Sequence, residues 1–172
     1  MSRDRVPCAP GPTGRTTPAR HMRELDRAEA LRLLATVSLG RIVFTHRALP
    51  AVRPVNHLVD GEDVVIRIHA GGALASLSAP ADAPGVVVAY EADAMDPDTH
   101  LGWSVVVTGY AQPVLDAEDL DRYADLLHPW VERATTTATL RIHPDLVTGF
   151  RLEAAAAPAT PAGCHPRRES RP

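Results

Sequence analysis

The stretch Ala51-Val-Arg-Pro-Val-Asn-His-Leu-Val59, followed by Asp60-Gly61 and then Val64-Val-Ile-Arg-Ile68, decides the fold of this chain. Two runs rich in β-branched residues flank a Asp-Gly pair, the residue types that tolerate the backbone of a tight turn between antiparallel strands. Working toward the N-terminus, Gly40-Arg-Ile-Val-Phe-Thr45 reads as an earlier strand, with Arg47 to Pro50 as the turn between them. A three-strand meander is the simplest consequence.

The same period continues outward. Gly85 to Tyr90 is a fourth strand, Glu91 to Asp98 an acidic loop, and Leu101 to Val114 a long fifth strand. Leu140 to His143 and Gly149 to Leu152 resume extended structure around a turn at Pro144. A helix from Asp26 to about Thr36 precedes the strands. Asp26 caps it, Glu29 completes a capping box, and Leu31, Leu34 and Val37 fall on one side, suited to covering an open side of a barrel. A second helix begins at Asp116, with Asp119 three residues on and Leu120, Tyr123, Ala124 and Leu127 at helical spacing.

About six strands, two principal helices and short connections imply a mainly β domain closed or partly closed into a small barrel, because closure removes vulnerable sheet edges. A doubly wound α/β fold fits poorly, since crossover helices are few and no GxGxxG follows the first strand. The chain of 172 residues suits one domain, and its 45% apolar and 4% aromatic content means a core of Val, Leu, Ile and Ala. The domain is expected over residues 23–153. Residues 1–22 and 154–172, rich in proline and poor in bulky apolar groups, are expected to be disordered tails.

Charge and composition exclude several classes. Arginine supplies all 18 basic residues against 21 acidic ones, for a net charge of -3. That balance argues against a nucleic-acid partner bound through phosphate neutralisation. No apolar run is long enough to span a bilayer and no signal-peptide segment precedes the domain, so no membrane partner and a cytoplasmic location are expected. Cys8 and Cys164 read as incidental thiols. The histidines have no tight metal-ligand spacing, Asp93, Asp96 and Asp98 lack the rest of a calcium loop, and no nucleophile elbow is present, so neither a metal nor covalent hydrolysis is expected.

Polar residues inside strand patterns are the candidates for chemistry. Alternation puts Arg53, Val55 and His57 on one face of their strand, and Val52, Pro54 and Asn56 on the other. Pro54 removes a ladder donor, which places the strand at an edge or beside a ligand. Arg67 and His69 share a face just before Gly71-Gly72. Arg67 is either a solvated surface arginine or a fork for a phosphate, to which amides at Gly72 and Ala73 would add donors. Trp103, near Gly102, is either core filler or one wall of a flat-ligand site.

These motifs, in this order, resemble the FMN-binding split-barrel family of pyridoxamine 5'-phosphate oxidase-like proteins. The likeness is carried by Leu39-Gly-Arg-Ile-Val-Phe44, Val52-Arg-Pro-Val-Asn-His57, Asp60-Gly61, Val64-Val-Ile-Arg-Ile68 and Gly71-Gly72. It continues through Val87-Val-Ala-Tyr-Glu-Ala-Asp93, Gly102-Trp-Ser-Val-Val-Val-Thr-Gly109 and Ile142-His-Pro-Asp-Leu-Val-Thr-Gly-Phe-Arg-Leu152, and covers about residues 24 to 153.

The resemblance implies a split β-barrel and a homodimer formed through the barrel, with FMN in grooves between subunits. It also implies an FMN-dependent oxidoreductase acting on a small organic substrate. Pro54, Val55 and Asn56 would lie beside the ring, while Arg67, Ile68 and His69 would line the path to the phosphate. The Gly71 to Ser76 turn, including Gly72, Ala73 and Ser76, would receive that phosphate, and Trp103 would border the ring or substrate space. Relatives often carry a basic residue where this chain has Ala73, so Arg67 or Arg53 would have to compensate. Three alternatives follow: a non-catalytic flavin-binding protein, a split barrel using deazaflavin F420 or haem, or a dimer without cofactor. No catalytic residue is assigned. His57 or His69 could assist a proton transfer, or be a polar groove or surface residue.

Overall fold

The computed structural model describes residues 19–69, 74, 77, 84–127 and 137–155. Seven strands and two helices follow one another as β1 (Arg20–Glu24), α1 (Arg27–Leu34), β2 (Leu39–His46), β3 (Leu49–Asp60), β4 (Asp63–His69), β5 (Val86–Met95), β6 (Gly102–Pro113), α2 (Ala117–Leu126) and β7 (Thr137–Ala154). The sheet runs β1-β7-β4-β3-β2-β5-β6, and β6 also pairs with β7, so six strands close into a ring with β1 added along β7. All the ladders are antiparallel. The fold is a split barrel of mainly β structure.

Period-2 alternation fills the barrel. Ile42 and Phe44, Val55 and His57, Val64, Ile66 and Ile68, Val88, Tyr90 and Ala92, Trp103, Val105 and Val107, and Leu140 and Ile142 are all buried. The apolar members join Ala30, Leu31 and Leu34 of α1 in one core cluster, so this helix plugs the barrel as its sequence pattern suggests. A smaller cluster of Val65, Tyr123 and Leu127 seats α2 on the outer face of β4.

Several boundaries differ from the sequence expectation. Arg20 to Met22, assigned to the N-terminal tail, belong to β1, which pairs with Phe150 to Ala154. Arg23 holds that strand through paired bonds of 2.8 Å to the Glu29 carboxylate. Glu29 therefore completes no capping box: its amide donates to Asp26 at 2.7 Å, but its carboxylate is turned onto Arg23. The segment 91–95 is strand rather than acidic loop. Ala92 points inward, while Glu91 and Asp93 point outward onto Arg41 at 3.0 Å each. Pro144 does not divide two strands. β7 runs through it, paired with Gly109, and the register with β6 shifts between Thr108 and Gly109, a bulge that leaves the neighbouring Asp145 without a partner in the ladder. The turn before β3 shrinks to Arg47 and Ala48, both at positive φ. Leu49 and Pro50 already pair with β2.

Candidate functional site

The barrel opens where β3 and β4 part. Their ladder holds from the turn at Asp60 and Asp63 only as far as His57 opposite Ile66. Beyond that, β3 continues along β2 while Arg67, Ile68 and His69 continue along β7, opposite Thr139, Ala138 and Thr137. The His57 amide donates to Ser38 at 2.9 Å, so the backbone groups of His57 and Val55 face β2. Alternation then turns those of Asn56 and Pro54 toward the opening. On β4, Val65 faces β3, and Arg67 and His69 follow it in phase. Pro54 thus sits where its missing N–H breaks no β2–β3 bond.

The sequence-predicted residues sort by which side of this opening they occupy. Pro54 and Asn56 lie on the outer face of β3, with Pro54 exposed and Asn56 half-buried. Arg67 is half-buried on the outer face of β4, the side to which α2 docks. Val55 and Ile68 are buried in the core, and their backbone groups face β2 and β7, so neither meets the opening directly. Arg53 shares the face of Val55 but lies where β3 has left the core; it is exposed, and its guanidinium donates to the Val52 carbonyl at 2.7 Å. Trp103 is on β6, across the barrel from the opening, and is 6% exposed within the core cluster. Of its two readings, core filler is the one its own chain realises. His69 contributes its backbone to β4; Gly72, Ala73 and Ser76 lie outside the described residues.

His57 is neither groove nor surface. It is 3% exposed, its Nε2 lies 3.0 Å from the Leu34 carbonyl, and its Nδ1 lies 2.8 Å from the Tyr90 hydroxyl. A carbonyl only accepts, so Nε2 carries the proton and Nδ1 accepts from Tyr90. Burial drives the His57 pKa below the ordinary histidine value, against the smaller pull of the Leu34 carbonyl. Burial likewise raises the Tyr90 pKa. Gly40 makes room for this pair, since a Cβ there would meet the Tyr90 hydroxyl and lie 2.5 Å from the Glu91 carbonyl. Alternation alone already put His57 beside Val55; what marked it as core was the inward phase, overridden in the sequence reading by its polarity.

Two other features stand apart from the opening. The Tyr123 hydroxyl donates to Asp60 and accepts from Arg141 at 2.7 Å and Arg122 at 3.0 Å, while Arg122 and Arg141 also bind Asp119 at 2.8 Å. This network clamps α2 to the β3–β4 turn and to β7. The Arg122 guanidinium, helped by Tyr123, holds the Asp60 carboxyl below its usual range. A groove of about 410 Å³ beside β1, β6 and β7 is lined by Met22, Glu24, Ser104, Val106, Thr148 and Phe150 among others. It gathers none of the predicted residues. Among the described residues, no group of three or more His, Cys, Asp or Glu side chains could hold a metal ion, and no helix is long and apolar enough to cross a membrane.

The opening suits a flat ligand with a polar edge and an anionic tail. Backbone groups of Pro54 and Asn56 face it from one strand and those of Arg67 and His69 from the other, and the guanidinium of Arg67 is of the type that could hold a phosphate. A flavin nucleotide has these parts, and the residues present fit it.

Comparison with known proteins agrees. Residues 26–151 match the family model described as pyridoxamine 5'-phosphate oxidase. An uncharacterized protein of Mycobacterium tuberculosis is 54% identical over 137 residues, 79% of this chain and 89% of that protein. The solved structure of an FAD binding protein from Mycobacterium smegmatis is 33% identical with a TM-score of 0.63, covering 77% of this chain and 100% of that one. A conserved protein of unknown function from Corynebacterium diphtheriae is 29% identical with a TM-score of 0.58, covering 76% of this chain and 97% of that one. By sequence and by fold, the chain belongs to the pyridoxamine 5'-phosphate oxidase family of flavin-binding split barrels.

Proposed function

We propose that this protein is a flavin-dependent oxidoreductase that holds FMN in the opening between β3 and β4 and acts on a small organic substrate. The observation that carries the reading is the parting of the two strands beyond His57 and Ile66, which leaves two sets of backbone groups without a ladder between them. A bound flavin supplies reversible two-electron transfer, chemistry that the protein's own side chains lack. The chain's part is to orient the ring through the backbone at Pro54 and Asn56, and to neutralise the phosphate through Arg67 and the following turn. FAD is the second reading, favoured by the name of the Mycobacterium smegmatis relative.

A second copy of the chain completes the groove in this reading. The outer barrel surface offers a face for it: Val52, Val43, Ala89, Thr108 and Leu146 stand opposite one another across five strands, and Val52, Val87 and Leu146 are 48%, 60% and 57% exposed. Apolar area of this kind marks a protein contact.

The test is the visible spectrum of the purified protein before and after loading with FMN or FAD and removal of the unbound fraction, with the released flavin identified by chromatography. About one flavin per subunit supports the site, and reduction of the bound flavin followed by reoxidation with candidate acceptors tests turnover. Retention of neither flavin overturns the proposal. A tightly held flavin that no acceptor reoxidises would reassign the protein as a non-catalytic carrier. Retention of FAD alone would exchange the cofactor.

A further inference from the structure

We infer that His57 and Tyr90 are positioning residues of the flavin opening, forming a neutral-histidine latch that fixes the point at which β3 leaves β4 and that rearranges when the ring takes up a proton. The inference rests on the flavin reading above and assigns a regulation to that site.

Position is the first ground. His57 is the last residue of β3 paired with β4, opposite Ile66. Its immediate neighbour Asn56 and, two residues before that, Pro54 are the groups proposed to meet the ring. The side chain reaches inward and joins three elements: the end of α1 at the Leu34 carbonyl, β5 at the Tyr90 hydroxyl, and β3 itself. Its amide adds a bond to Ser38 just before β2. The rings of His57 and Tyr90 meet edge to face with centroids 5.0 Å apart. A displacement of either ring therefore moves the backbone beside the opening.

The second ground is that every hydrogen in the latch has one arrangement while the ring is neutral. Nε2–H donates to Leu34, and Nδ1 accepts from Tyr90. A proton added at Nδ1 sets two donors against each other. The Tyr90 hydroxyl must then accept from Nδ1–H and turn its own hydrogen elsewhere, and the Val55 carbonyl lies 3.3 Å away. Proton uptake thus reverses the His57–Tyr90 bond and redirects the hydroxyl hydrogen onto the backbone carbonyl of Val55, between Pro54 and Asn56.

The surroundings isolate this ring. From α1 it meets the Leu34 carbonyl, from β4 the apolar Ile66, and from β5 the Tyr90 hydroxyl. The nearby charges, Glu91 and Asp93 of β5 and Arg41 of β2, are paired with one another on the outer face. Among the described residues no carboxylate compensates a charged imidazole, so the neutral latch is the resting state near neutral pH.

The test is the affinity of the full chain for FMN and for FAD, read by fluorescence titration from pH 8 to pH 5 on wild type and on His57→Gln, whose amide can donate to Leu34 and accept from Tyr90 without titrating. Nitrogen shifts of the histidine rings are followed by NMR over the same range. Wild type is expected to show the Nε2–H tautomer and to lose affinity by up to about tenfold per pH unit once His57 begins to protonate. His57→Gln is expected to bind with a flat profile, and Tyr90→Phe to bind several-fold more weakly at pH 8 while remaining folded.

Because His69 also borders the opening, a wild-type pH slope that persists in His57→Gln overturns the inference and points to another group. An Nδ1–H tautomer, or an affinity unchanged while His57 titrates, overturns it as well. Absence of flavin binding to wild type at every pH overturns the flavin reading itself, a result distinguishable from all of these. The wild-type profile and the tautomer need no variant, so a variant that fails to fold does not protect the inference.

Discussion

Replacing Gly40 with Ala gives a prediction whose sign is informative. Gly40 is not among the positive-φ residues of the chain, so alanine can adopt its backbone. At such a site, glycine to alanine ordinarily stabilises by about 0.4–1 kcal/mol through the unfolded state. Here the new Cβ would lie 2.6 Å from the Tyr90 ring carbon that bears the hydroxyl and 2.5 Å from the Glu91 carbonyl oxygen. Both distances fall about 1 Å short of an ordinary carbon contact. The carbonyl is backbone in a paired strand and Tyr90 is fully buried, so neither can swing away. Overpacking of this kind costs about 1–3 kcal/mol, and displacement of Tyr90 from His57 adds about 1 kcal/mol for the weakened bond.

With the unfolded-state gain subtracted, the expected result for Gly40→Ala is a net loss of about 1–3.5 kcal/mol, which lowers the urea midpoint by roughly 0.5–2 M. A midpoint equal to or above wild type refutes the packing argument, because only the unfolded-state term would then remain. Gly61→Ala is the contrast. Its Cβ meets nothing within 4 Å, but its φ of +63° strains alanine, so a smaller loss of about 1 kcal/mol is expected.

Tyr123→Phe keeps the ring but removes the hydroxyl shared by Asp60, Arg122 and Arg141. A loss of about 1–3 kcal/mol is expected, read as a lower thermal midpoint. Arg67→Ala should weaken flavin binding about tenfold or more without lowering the urea midpoint comparably, and an unchanged flavin affinity would remove Arg67 from the phosphate path. Acid should weaken the fold: the folded pKa of His57 is depressed, so between that value and about 6.5 the unfolded chain binds the extra proton. The His57 contribution is therefore complete above about pH 6.5 and falls as pH drops toward the folded pKa, a slope that His57→Gln should abolish in urea titrations. Val52→Asp should shift any dimer toward monomer in analytical ultracentrifugation, because it places a charge at the exposed β3 end of the outer row.

The ladder around Asp60 and Gly61 was legible because its turn chemistry and alternation are local. The barrel followed from the number of strands and the scarcity of crossover helices. The parting of β3 from β4 was not legible, because it depends on β4 pairing with β7, a choice made between Val64 and Ile142 that no local pattern records. The same reason hid β1, whose alternation is not apolar and which is held by backbone pairing and by Arg23 on Glu29. Glu91 and Asp93 read as loop because acidic residues usually are, yet they are the solvent half of a strand whose inward half is Tyr90 and Ala92. Among the residues proposed for the site, Pro54 and Arg67 carried visible signals. The core role of His57 required knowing that Tyr90 and Leu34 converge on it, and a polar side chain gives no sequence sign of that convergence.

β7 is also the last of the described strands to be synthesised, and this sets the order in which the barrel becomes safe. Residues 39–113 can build β3 on β4, β2 on β3, β5 on β2 and β6 on β5 as each strand emerges. Until Thr137 to Leu152 arrives, however, β4 and β6 remain the two bare margins of an open sheet, each able to pair with another nascent chain. One strand seals both margins at once and completes contacts far apart in sequence, a slow step by the usual relation between topology and rate. A chain halted before β7 therefore holds most of the barrel's ladders and none of its protection, so the hazard in making the barrel is concentrated in the arrival of β7.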